Sequence, residues 1–183
     1  GMLPALLART FDTIIASMSI TEERKKKIDF TVKYYNTPAK LVAKKDAGFA
    51  GTAAGLNGKR LGVQRATTHQ CSAEKLYPGA ELVLYGTQEE VWQDLAAGRL
   101  DAQLSDSLQA YEGFLALDAG KGFDFLGDAL DDIECQGVGA GFAVRKEDSA
   151  LRDALSQVIL DIRADGAYKA MNDQYFAVDI YGN

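Results

Sequence analysis

The sequence predicts an α/β protein with helices on both faces of its main sheet, and three observations carry that expectation. Aliphatic runs at residues 60–64, 81–85, 102–105 and about 123–126 alternate with helical stretches at 68–77, 88–97 and 106–117. That is the spacing of strand and helix units wound about a sheet. Apolar residues make up 47% and charged residues 25% of the 183, the ordinary mix of a chain that buries a core. Finally, an apolar run gives way twice to hydroxyls just ahead of a helical segment, at Ser17 to Ser19 and at Thr67-Thr68, as happens where a strand feeds a helix.

Taken in order, residues 3–9 read as a short helical stub, with Pro4 tolerated in the first turn where its missing N–H costs nothing. Residues 12–16 read as a buried strand. Ser19-Ile20-Thr21-Glu22 fits a capping box, so a helix is expected over 21–27. Residues 34–38 are expected to be irregular and 40–44 to be a strand, while glycine-rich 46–58 is a connector with a turn at Asn57-Gly58. Within the alternating region Leu95, Leu100 and Leu104 belong to the core, and Trp92 shares a helix face with Leu95 and Ala96. Gly137-Val138-Gly139-Ala140-Gly141 lacks the spacing of a phosphate-binding loop and opens a strand at 142–144, so it reads as a flexible crossover. Residues 149–164 form an amphipathic helix with Leu151, Leu155, Val158 and Ile162 on one face. Asp165-Gly166 interrupts it, and 167–176 make a last helix.

Charge and cysteine content exclude several classes of function. With 20 basic and 26 acidic residues the net charge is −6, which argues against nucleic acid as a partner. The basic stretch from Arg24 to Lys27 follows two glutamates and reads as a solvated face. No apolar run approaches the length needed to cross a bilayer, and no signal-peptide pattern precedes Leu3. Two cysteines, Cys71 and Cys135, are too few for a disulfide scaffold and have no metal-like spacing. Neither a metal nor a cofactor is expected.

The chemistry concentrates at the two strand-to-helix junctions. Around Ser17, Ser19 and Arg24, free backbone N–H groups, the positive end of a helix, two hydroxyls and a guanidinium all favour a carboxylate. An ordinary capped helix with a solvated arginine accounts for the same residues. Thr67 and Thr68 repeat this arrangement, and taken alone are a cap. Asp106 follows the strand at 102–105 and suits an N-cap or a cation. His69 is the single histidine and stands at a helix start, where it is either a surface residue or part of a site.

Ser17-Met18-Ser19-Ile20-Thr21-Glu22-Glu23-Arg24, with Asp29-Phe30-Thr31 and Tyr34-Tyr35, resembles the signature segment of periplasmic solute-binding proteins for polar and basic amino acids. Gly58-Lys59-Arg60-Leu61-Gly62-Val63, Ala66-Thr67-Thr68, Asp94-Leu95-Ala96-Ala97-Gly98-Arg99-Leu100-Asp101-Ala102, Val144-Arg145-Lys146-Glu147-Asp148 and Ile162-Arg163-Ala164-Asp165-Gly166 extend the resemblance from Leu3 onward. The branch is that of the lysine/arginine/ornithine, histidine and opine binders. The resemblance implies a type II periplasmic-binding fold of two α/β lobes joined by hinge strands, here 1–44 with 139–183 and a contiguous 45–138. It implies that Arg24 takes the α-carboxylate with help from Ser19 and Thr68, that Ser17 and Thr67 add polar contacts, and that Asp106 takes the α-ammonium. His69 stands where the branch commonly carries an amide that reads the distal end of the ligand. The implied function is transport rather than catalysis: a periplasmic protein whose lobes close on an amino acid and deliver it to the membrane permease of an ABC transporter. Some relatives of this fold are cyclohexadienyl or arogenate dehydratases, for which His69 or Glu74 would be the general acid.

Family members carry a strand, a helix and a second strand ahead of the position of Leu3. Without them the first lobe is expected to be incomplete and covered by a second copy, in a homodimer with exchanged elements; the alternatives are that the remaining elements pack differently, or that the shortened chain dimerises and binds little ligand. Both cysteines fall in the second lobe, where a disulfide and two buried thiols are both open.

Overall fold

Among residues 1–130, 132–176 and 179–182, which the computed structural model describes, seven strands form two sheets. In chain order the elements are helices α1 (Met2–Leu7) and α2 (Glu22–Lys25), strands β1 (Asp29–Tyr35), β2 (Ala39–Lys44) and β3 (Arg60–Gln64), then α3 (Thr68–Leu76), β4 (Glu81–Tyr85) and α4 (Gln88–Ala96). There follow β5 (Ala102–Asp106), α5 (Ser107–Ala110), β6 (Phe123–Leu126), α6 (Ile133–Gln136), β7 (Ala140–Val144), α7 (Ser149–Ala164) and α8 (Ala167–Tyr175). The chain divides into one unit of residues 1–37 and 136–183 and a second of residues 38–135.

The second unit is built on a sheet of order β4-β3-β5-β2-β6, with β3 parallel to β4 and β5, and β2 antiparallel to β5 and β6. Strand alternation sends Leu41, Leu61, Val63 and Leu104 to one face, where they pack with Ala73 of α3 and with Tyr77 just after it. Val42 points the other way, to Val91 and Leu95 of α4, Ala110 of α5, and Phe114. Full burial of Leu41, Leu61 or Leu104 is worth about 1.5–3 kcal/mol each. Gly62 lets α4 and Leu100 come close, since a Cβ there would fall 2.3 Å from the Leu100 side chain.

The expected helix over 106–117 stops at Ala110 and widens into a π-helical turn at Tyr111–Leu115. Gly113 lies against the Trp92 ring, 2.2 Å from where its Cβ would be, so the turn is shaped by packing that the local sequence does not announce.

Cys71 and Cys135 form a disulfide with Cα atoms 5.6 Å apart, closing the question that composition left open. Beside it the Asp132 carboxylate, 1% exposed, accepts from Ser72 Oγ at 2.8 Å and from Lys75 Nζ at 2.8 Å. Burial alone pushes its pKa up. Hydrogen bonds from Lys75, Ser72 and the Cys135 N–H, with the charge of Lys75, outweigh burial and hold the carboxyl below its ordinary value. A carboxyl depressed in this way stabilises the fold above its unfolded pKa of about 3.9, and that contribution is lost as pH falls through the lower folded value. Asp132→Asn should therefore flatten the acid limb of a plot of thermal midpoint against pH, measured calorimetrically below about pH 4. An acid limb as steep as that of the unsubstituted chain would contradict this.

The first unit rests on the antiparallel pair β1-β7, with Asp29 opposite Val144, Phe30 opposite Ala143 and Lys33 opposite Gly141. The register shifts on both sides of Lys33, which breaks the alternation. For that reason β1 has no clean period in the sequence, and Tyr34 and Tyr35, expected to be irregular, are strand residues. Helix α7 packs on both strands, and Ser156 Oγ accepts the Val32 N–H at 3.2 Å. Leu6, Ile14, Met18, Ile28 and Ala143 form the core. Arg145, 3% exposed, donates to the carbonyls of Leu6 and Phe11 at 3.1 and 2.9 Å and to Asp12 at 2.9 Å, and it pairs with Asp148. Its fork thus fastens the N-terminal segment to the end of β7.

Three further expectations are corrected. The strand over 12–16 is reduced to a single bridge between Ile14 and Ala143, with Ile15 58% exposed. Helix α2 is capped by Thr21, whose Oγ1 accepts the Arg24 N–H, and not by Ser19. Ser19 is held extended by its bridge to Ala140, so no helix can start there. The boundaries also move: β2, assigned in the sequence to the first lobe, lies between β5 and β6, so the second unit begins at Pro38 and ends at Cys135.

Candidate functional site

Ser17, Ser19 and Arg24 come together in the first unit through the fold of one short segment. The Met18 carbonyl accepts from Gly141 N at 3.1 Å, Ile20 N donates to the Gly139 carbonyl at 2.8 Å, and Val138 N donates to the Ile20 carbonyl at 3.3 Å. This ladder requires Gly137, which has φ +74° and a Cα so near the Ile20 carbonyl oxygen that a Cβ would sit 2.1 Å from it. The glycine string is therefore a seat for the Met18–Ile20 backbone and not a loose crossover. Gly137→Ala should destabilise the first unit by at least about 1–2 kcal/mol, the cost of a left-handed alanine, before the clash is counted. A thermal midpoint unchanged by the substitution would refute this account.

From that seat Thr21 turns the chain into α2, and the Arg24 side chain folds back so that Nη1 donates to the Ser19 carbonyl at 2.9 Å. The guanidinium is half-buried, and loss of water draws its pKa down from the ordinary value, though an arginine stays charged at neutral pH. Among the described residues no carboxylate lies within ion-pair distance of it. A cation partly stripped of water and held by one neutral carbonyl attracts an anion of matching shape. Ser17 sits at φ +54°, a left-handed conformation that a serine adopts only when its surroundings impose it. Its N–H donates to the Tyr34 hydroxyl at 3.0 Å. Tyr34 is braced by Phe142, with ring centroids 4.7 Å apart, and its carbonyl accepts from the Tyr168 hydroxyl at 2.7 Å. Tyr34 and Gly137 are the positioning residues that the sequence reading missed. Tyr34 stood out only as part of the Tyr34-Tyr35 pair of the signature segment, with no role attached, and Gly137 carried a signal that pointed to flexibility.

Thr67, Thr68, His69 and Asp106 come together on the second unit. Strands β3 and β5 are parallel neighbours, with Leu61 beside Ala102 and Gly62 beside Gln103, so their C-terminal ends open on the same edge of the sheet. After β3 the chain turns through Ala66, at φ +58°, into Thr67. Thr67 Oγ1 donates to the Gln64 carbonyl at 2.7 Å and accepts the Gln70 N–H at 3.3 Å, capping α3. Thr68 is buried and His69 half-buried in the first turn. Asp106 ends β5 and caps α5, with Oδ1 accepting the Gln109 N–H at 3.0 Å. Two helix N-termini and a carboxylate thus share one edge, where the hydroxyl and N–H groups can meet an anion and the carboxylate a cation. Among the described residues no cluster of side chains is suited to hold a metal ion.

The model of the bacterial extracellular solute-binding proteins, family 3, matches residues 1–178. The chain belongs to that family. This solute-binding protein is 48% identical over 185 residues to the L-arginine-binding protein of Pseudomonas aeruginosa, covering all of its own length and 71% of that relative. It is 41% identical over 184 residues to the histidine-binding periplasmic protein of Salmonella typhimurium, again with 100% and 71% covered. Among solved structures, an ancestral arginine-binding protein bound to arginine is similar at a TM-score of 0.86 and 30% identity, covering 97% of this chain and 76% of that one. The fold is of the type II periplasmic-binding kind, and the compartment of the solute-binding protein is the periplasm. No described helix is long and apolar enough to cross a membrane.

Proposed function

We propose that this solute-binding protein captures a free basic amino acid, arginine first among them, and delivers it to the membrane permease of an ABC transporter. Arg24, with Ser19 and Thr68, receives the α-carboxylate, and Asp106 receives the α-ammonium. Ser17 and Thr67 add polar contacts, and His69 meets the side-chain end. The observation that carries this reading is the half-buried Arg24 guanidinium, held by the Ser19 carbonyl with no carboxylate beside it among the described residues. The names of the relatives, which specify arginine and histidine, favour a basic ligand. They also favour binding without turnover. The reading is of a single chain; the homodimer expected from the sequence adds no residue to it.

Titration calorimetry with arginine, lysine, ornithine, histidine and octopine tests the proposal. Stoichiometric binding of a basic amino acid is expected, and absence of heat with all five overturns it. Asp106→Asn keeps the cap acceptor while removing the charge. It should weaken arginine binding by roughly ten- to a hundredfold, the worth of about 1.5–3 kcal/mol for a hydrogen bond to a charged group. An unchanged affinity would remove Asp106 from the site.

A further inference from the structure

Helix α3, whose first turn carries Thr68 and His69, has nine residues, too few to hold its own shape in water. Its second turn is fastened to one short segment at three points. Cys71 is bonded to Cys135, Ser72 donates to Asp132, and Lys75 donates to both Asp132 and Glu134 at 2.8 and 2.7 Å. The segment itself has little apolar anchorage, with Ile133 66% exposed and Glu134 largely in solvent. Its buried groups are the Asp132 carboxylate and Cys135, and both face α3. A carboxylate placed in the interior is costly unless its oxygens are satisfied. Here they are satisfied almost wholly by the helix that bears the candidate binding residues.

We propose that Asp132 is a positioning residue for ligand, acting with the Cys71–Cys135 bond as a strap that fixes the first turn of α3, so that order at Thr67 to Cys71 fails only when both fastenings are lost. The proposal rests on the reading of Thr67, Thr68 and His69 as ligand contacts. Either fastening alone holds the helix to the segment, because Cys71 and Ser72 are adjacent and their partners are three residues apart. Reduction of the disulfide then leaves binding nearly intact in the unsubstituted chain and abolishes most of it where Asp132 is absent.

The test uses the full chain, Asp132→Ala, which removes both acceptor oxygens, the Cys71→Ala/Cys135→Ala pair and the combined triple variant. Amide hydrogen exchange is read at Gln70 and at position 71, whose N–H groups bond to Thr67, and at the strands β3 and β5, which report opening of the whole unit. Either lesion alone should change first-turn protection by less than about threefold relative to the strands. The triple variant should lose at least about tenfold relative to them, with a rise in the dissociation constant for arginine of similar size. Protection at Gln70 and position 71 that falls only in step with β3 and β5 in the triple variant means that the strap serves stability alone, and the proposal fails. If the unsubstituted chain binds none of the amino acids, the proposed function falls, while the exchange measurement still decides whether the strap orders the turn.

Discussion

Arg24→Ala should raise the dissociation constant for arginine by roughly two to four decades, the equivalent of about 3–5 kcal/mol for a buried charge left without its partner. The size follows from what surrounds the guanidinium. Nη1 is committed to the Ser19 carbonyl, which fixes the plane of the fork, and burial has already removed part of its water. The cost of dehydrating the cation is thus met in folding, and a ligand carboxylate collects an attraction only weakly screened. Arg24→Lys is the discriminating control. It keeps the charge and loses the planar pair of donors, so it should recover only part of the affinity. Calorimetry on both variants checks this, and a loss below tenfold in Arg24→Ala would place the carboxylate elsewhere.

Reduction of the Cys71–Cys135 bond should lower the stability of the second unit by about 4 kcal/mol, the loop-closure value for a sequence separation of 64 residues. The loop it closes runs from α3 through β4, β5 and β6, most of the second unit's sheet. In the unfolded chain the cross-link denies those strands much of their freedom, and the folded unit is favoured by that amount. Scanning calorimetry with and without reductant should show the transition of this unit fall while that of the first unit, which contains no cysteine, stays in place. A first-unit transition that moves equally would mean that the two units unfold as one.

Local chemistry made much of the fold legible. Leu61 and Val63, Leu82 and Leu84, and Leu104 alternate or run together between glycine and hydroxyl punctuation, and the strands and helices of the second unit fall close to where that pattern puts them. The first unit was harder because its pairings are long-range. Strand β1 has two register shifts around Lys33 and gains its strand character from β7. Ser19 has every local qualification of a cap and is prevented from acting as one by Ala140, which is distant in sequence. The same limit applies to the site. Hydroxyls, guanidinium and carboxylate at strand ends could be read directly, whereas the Tyr34 hydroxyl under Ser17 and the seat made by Gly137 arise from contacts between remote segments. The disulfide could not be decided from two cysteines until the fold brought their Cα atoms together.

The pairing of β1 with β7 also sets an order of assembly. Asp29 leaves the ribosome long before Val144, its partner, and everything the second unit needs is translated in between. Any nascent chain must therefore carry an unpaired strand until Ala140–Val144 has been made, while the intervening segment can already be native. Lys33 puts a charge in the middle of that waiting strand, which makes it a poor template for the wrong neighbour in the meantime.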